Sequence, residues 1–126
     1  MGTYKDLIAY EKSFALAMKI FEITKGFPKE EKYSLIDQVR RSSRSICINI
    51  VEAYRKRQYP MHFVSKLSDA DMENSETIVW IDFAIQCKYL EESLGRNLIS
   101  EYLEIGKLIQ FMMNNPEKFG PKKSNK

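Results

Sequence analysis

The chain has 126 residues and a formal net charge of +3, with 44% hydrophobic and 29% charged residues. That length and composition fit one soluble globular domain with a hydrophobic core of its own. No apolar stretch approaches the ~20 residues that a membrane-spanning helix needs, and a charge of +3 is too small by itself to establish a nucleic-acid partner. The opening MGTYKDLIAY has no basic segment followed by an apolar run, so no secretory signal is expected and the cytoplasm is the expected location. Gly2 does not begin a myristoylation motif, because Asp6 stands where Ser or Thr is required.

The first helix is expected over about Asp6 to Lys25, with Asp6 as N-cap. Leu7, Tyr10, Phe14, Ala17, Phe21 and Thr24 mark one stripe; Leu16, Ile20, Ile23 and Phe27 mark another. Gly26 supplies a stop and Pro28 prevents continuation. Lys29 to Lys32 form either a short turn or the first turn of the next helix. The second helix is expected over Ser34 to Arg57. Leu35, Val39, Ser42, Ile46, Asn49 and Ala53 recur at steps of four and three, which is one helix face. Ser42 and Asn49 are unusual members of a core-facing stripe. The link through Gln58 and Tyr59 is short, and Pro60 suits the first turn of a new helix.

The third helix is expected over Pro60 to Leu90, with Phe63, Leu67, Ala70, Asn74, Ile78, Ile81 and Ile85 facing the core. Val79, Trp80, Phe83 and Cys87 lie on a different face. A helix apolar on two sides is covered on two sides, so these four residues are read as a subunit interface rather than as a wide core arc. Ser93 is the expected N-cap of the fourth helix, whose stripe is Leu94, Leu98, Tyr102, Ile105 and Ile109, joined by Leu108 and Met112. Asn114, Asn115 and Pro116 end it. Residues 1–116 therefore read as the bundle and 117–126 as a disordered basic tail. With short connections and no strand pattern, the fold class is all-α, an antiparallel up-down-up-down four-helix bundle.

Charge is unevenly spread. From Asp37 to Arg57 the bases Arg40, Arg41, Arg44, Arg55, Lys56 and Arg57 face only Asp37 and Glu52. From Tyr59 to Glu92 the only bases are Lys66 and Lys88, against seven carboxylates. Either the two helices neutralise each other, or the basic residues face a polyanion.

Residues for catalysis are scarce. His62 is the single histidine and reads as a surface residue; neither Cys47 nor any serine has local company that suggests activation. Cys47 and Cys87 read as small buried hydrophobes in a reducing compartment, although spacing alone does not exclude a disulfide. No glutamate is followed three residues later by histidine, as a di-iron bundle requires. The run from Asp69 to Trp80 fails as a calcium loop, with Asn74 at its sixth position and Trp80 at its twelfth. There is no Gly-rich phosphate loop. No enzyme activity, metal, cofactor or small-molecule substrate is therefore expected. The polar residues in helical patterns, Ser42, Asn49, Glu52, Asn74 and Glu76, read as an inter-helix polar layer that fixes register, paired with one another or with Arg40 or Arg41.

Phe27-Pro28, Glu30-Glu31, Tyr33, then Leu35, Gln38, Arg40 and Arg41, then Ser45, Ile46, Asn49, Ile50 and Glu52 resemble a bacterial four-helix-bundle family. Its founding members are encoded within intervening sequences of large-subunit ribosomal RNA genes. The resemblance runs from about Tyr4 to Asn114. Val51 and Ala53 depart from the family pattern, which has Ala and Gly there. The resemblance implies a left-handed bundle assembled as a homopentameric ring with a central channel, similar to the accessory variability proteins of diversity-generating retroelements, which bind nucleic acid and a reverse transcriptase. It implies no catalysis and no cofactor. The functional expectation is a homo-oligomer that binds RNA or another nucleic acid through Arg40, Arg41, Arg44, Arg55, Lys56 and Arg57. The rival is an assembly module whose arginines are used up in salt bridges.

Overall fold

A computed structural model describes residues 3–121, and four helices make up its body: α1 Ile8–Thr24, α2 Asp37–Arg55, α3 Pro60–Gln86 and α4 Glu92–Asn114. Contacts between neighbours pair residues in opposite senses along the chain. Ser42 meets Thr77 and Glu52 meets Lys66 between α2 and α3; Asn74 meets Tyr102 and Asp71 meets Gln110 between α3 and α4. Consecutive helices thus run antiparallel. Lys19 of α1 reaches Glu101 of α4, which closes the four-helix arrangement.

The core follows the stripes. Ile46, Ile50 and Ala53 of α2, Phe63, Leu67, Ala70 and Ile81 of α3, and Leu98, Tyr102, Ile105 and Ile109 of α4 are almost wholly enclosed. Each large apolar side chain buried this way contributes about 1.5–3 kcal/mol. On α1 the inward face is Ala9, Ser13, Leu16, Ala17, Ile20 and Thr24. Phe14, expected to face inward, is exposed, as is Leu94 of α4.

Helix ends differ from expectation, each for a local reason. Asp6 does not cap α1; it closes a separate 3-10 turn, Tyr4–Asp6, by a reciprocal bond pattern with Thr3. Before α2, Lys29–Glu31 is a 3-10 turn and Lys32–Ile36 a π-helical turn, so regular helix begins at Asp37 rather than Ser34. It ends at Arg55, with the backbone leaving helical geometry at Lys56. α3 stops at Gln86 because Lys88 takes a left-handed conformation (φ 66°) and the Tyr89 amide bonds back to the Ala84 carbonyl. That backward bond satisfies an end carbonyl of the helix, as in a Schellman stop. The cap of α4 is Glu91, while the Ser93 hydroxyl donates to the Glu91 carboxylate at 2.8 Å. Gly95 lets α4 pass close to Ile85, whose side chain lies 2.5 Å from where a Cβ would sit.

After α4, Pro116–Lys118 forms a 3-10 turn, and Phe119 stacks on Phe63 with ring centroids 6.0 Å apart. Residues 117–119, expected to begin a disordered tail, instead take part in this turn and in the Phe119 contact; residues 122–126 of the expected tail lie outside the described residues.

Candidate nucleic-acid interface

The basic residues of α2 sit on its outer arc, because the 3.6-residue period commits Val39, Ile46, Ile50 and Ala53 to the core. Their environments differ sharply. Arg40 reaches sideways to α1, where its Nε donates to Thr24 Oγ1 at 2.8 Å and a terminal nitrogen donates to the Phe21 carbonyl at 3.3 Å. Its guanidinium lies 4.8 Å from the Phe21 ring centroid. It is a clamp between α1 and α2.

Arg41 reaches the other way. It pairs with Glu73 at 3.2 Å and, more closely, with Glu76. These bonds, the one to Glu76 foremost, hold the guanidinium firmly protonated. Burial pushes the Glu76 carboxyl up, but the bonds from Trp80 and Arg41 outweigh it and leave the group below the ordinary carboxylate range. The Trp80 indole donates to Glu76 at 3.1 Å.

Arg44, Arg55 and Lys56 are exposed and make no ion pair among the described residues. Arg44 lies 5.8 Å from the Phe21 ring centroid. Arg57 is half-buried: it donates to the Tyr54 carbonyl at 3.0 Å and stacks at 4.0 Å on the Tyr54 ring. The six bases therefore do not form one continuous patch. Lys32, Tyr33 and Arg44 line a cleft of about 630 Å³ beside the start of α2. Arg55 and Arg57 line a second, of about 390 Å³, at its far end.

The four residues expected at a subunit interface share the outer side of α3. Val79 and Phe83 are each 52% exposed; Cys87 is exposed and Trp80 is half-buried, tilted against Phe83 at 5.8 Å. Met72 continues this apolar arc. Around the bundle, Phe14 and Met18 of α1 and Ile48 of α2 are also exposed and line an apolar groove of about 350 Å³.

Of the residues expected in a polar layer, Ser42 and Asn74 are buried, and the Asn74 amide donates to the Tyr102 carbonyl at 2.9 Å. Asn49 bonds within its own helix to Ser45. Glu52 and Glu76 cross between helices near the surface, Glu52 to Lys66 at 2.7 Å. The enclosed polar contact between α2 and α3 is Ser42 with Thr77, hydroxyl to hydroxyl at 2.8 Å. Thr77 was hidden in the sequence because its hydroxyl also bonds the Glu73 carbonyl one turn earlier, a common helical contact with no spacing signature.

Cys47 is buried beside Ser13 at 3.4 Å, and burial pushes its thiol up. Cys87, expected to be buried, is exposed because α3 ends just before it; both cysteines are free. His62 is exposed, edge-on to Tyr59. Among the described residues no group of His, Cys, Asp and Glu is gathered to hold a metal ion, and no helix is long and apolar enough to cross a membrane.

Fold and surface together define an all-α bundle with basic and apolar outer arcs. The chain belongs to the 23S rRNA-intervening sequence protein family, whose model matches residues 5–111. It is similar to the crystal structure of a protein of unknown function from the S23 ribosomal protein family of Bacteroides thetaiotaomicron. The two share 28% identity with a TM-score of 0.77, over 87% of this chain and 98% of that one. No curated protein matches the chain.

Proposed function

We propose that the protein is a non-enzymatic homo-oligomer, a ring of five subunits, that binds RNA or another nucleic acid in the cytoplasm. The observation that carries the binding half is the exposure of Arg44, Arg55 and Lys56 without a carboxylate partner among the described residues. Repetition around a ring multiplies that charge well beyond the +3 of one chain. Phosphates are the fitting partner, since lysine and arginine contacts to them supply affinity without reading sequence. Assembly is supported by the apolar arc of Met72, Val79 and Phe83, which a lone bundle leaves in water.

A second reading, an assembly module with no nucleic-acid partner, is favoured by one observation: Arg41 already faces Glu73 and Glu76. Light scattering coupled to gel filtration, with and without an RNA oligonucleotide at low salt, separates the two. The proposal expects a mass five times the 14.8 kDa chain and a further gain with RNA. A multiple of the chain mass that ignores RNA supports the assembly module; a mass of one chain removes the oligomer.

A further inference from the structure

The cleft beside the start of α2 has a chemistry more specific than a basic patch. The Lys32–Ile36 turn is π-helical, a rare local geometry that is frequent at functional sites. It buries Leu35 and Ile36 and leaves Tyr33 outside, 83% exposed. A tyrosine in that position forfeits nearly all the stabilisation its ring would gain by burial. The Lys32 ammonium lies 5.3 Å from its centroid. Across the cleft stand Arg44 and Ile48, the latter 56% exposed, and among the described residues Asp37 is the only carboxylate in the lining.

We infer that this cleft takes one unstacked nucleotide of a single strand, its base on the Tyr33 ring and its flanking phosphates at Lys32 and Arg44. The inference rests on the nucleic-acid reading above and narrows it to single strands. Every base offers a π-face, so aromatic stacking tolerates sequence, and nearby cations supply the phosphate contacts. Ile48 adds apolar surface for the base. Asp37 offers a hydrogen-bond acceptor to a base edge, where the arginines and lysine offer only donors. The phosphates go to Arg44 and Lys32 rather than to Arg41, whose charge two carboxylates already offset. Arg40 and Arg41 are held by Thr24, Glu73 and Glu76, so their side of the cleft is set before a ligand arrives. A duplex hides its base faces in the stack and cannot use Tyr33.

The test is fluorescence anisotropy at low salt with labelled oligouridine, oligothymidine and a blunt-ended two-strand RNA duplex, on the wild-type chain, Tyr33→Ala and Tyr33→Phe. Tyr33 is exposed enough that neither variant should alter the fold, which circular dichroism checks. Tyr33→Ala should weaken single-strand binding by about five- to a hundredfold and leave duplex binding unchanged, whereas Tyr33→Phe, which keeps the ring, should bind like wild type. Oligouridine and oligothymidine should lose affinity alike if stacking and phosphate contacts suffice; loss with oligouridine alone would assign the site to RNA. Undiminished single-strand binding by Tyr33→Ala overturns the stacking site while leaving the nucleic-acid reading intact. Wild-type binding to none of the three overturns both. A Tyr33→Ala chain that loses its oligomeric mass would assign the cleft to a second copy of the chain and overturn the proposal.

Discussion

Arg41 shows how burial decides what an ion pair contributes. Its two carboxylate partners would make it a strong stabiliser if all three groups were enclosed, but the arginine side chain is 46% exposed. Solvent screening then confines the pair to the surface range, about 1 kcal/mol at most. Arg41→Ala should therefore lower the melting temperature by only about 3–5 °C, measured by thermal circular dichroism, with no loss of helix at 25 °C. Tyr89 makes a pH-dependent contact. Its hydroxyl donates to Glu31 at 2.9 Å, tying the turn before α2 to the end of α3. That bond first, and burial second, raise the phenol from 10.0 to about 12. A phenol raised in the fold stabilises it fully below the unfolded value, and the stability is lost as pH rises through the folded one. Glu31 works in the opposite sense. The Ser34 hydroxyl first, then Tyr89, lower its carboxyl below 4.5, so its contribution is present above that value and lost as pH falls through the lowered one. Thermal melts should fall between pH 10 and pH 12 more steeply for wild type than for Tyr89→Phe; superimposable profiles would show that the bond carries no stability.

Helices were the legible part of this sequence, and their ends were not. The stripes on α2, α3 and α4 were readable because a helix in a bundle must bury one face, and that demand writes a period of 3.6 into the residues. Ends depend on single backbone bonds. The left-handed Lys88 and the π-helical turn at Lys32–Ile36 involve residue types that ordinarily continue a helix. The extent of the α3 core stripe was clear from Phe63 to Ile85, and its outer arc was legible as surplus hydrophobicity. Which of the α2 arginines were already committed was not, since Arg40 and Arg41 differ only by the 100° that turns one toward α1 and the other toward α3. The outer arc of α3 makes a prediction. Phe83 is 52% exposed, so Phe83→Glu should cost the isolated subunit little, yet place an unpaired charge in any contact that covers this face. Light scattering should show the variant as a single chain with unchanged helical content. A full-mass oligomer would move the interface elsewhere, with the groove at Phe14, Met18 and Ile48 the next place to look.

For the whole molecule, the contest is between charge spent inside the bundle and charge left for a partner. Arg40, Arg41 and Arg57 are held by hydrogen bonds within the chain, while Arg44, Arg55 and Lys56 are exposed without acidic partners among the described residues. The expected contacts from all six bases thus shrink to about half per chain, and the proposed oligomer would restore their number by repetition. Association through such groups releases counterions, so the logarithm of affinity should fall linearly with the logarithm of salt. The direct measurement is the binding of single-stranded RNA to the wild-type protein across a salt series starting at about 20 mM, where the Debye length is roughly 20 Å. The account predicts binding at the low end that weakens by orders of magnitude toward physiological salt. A folded protein that ignores RNA throughout the series would contradict it.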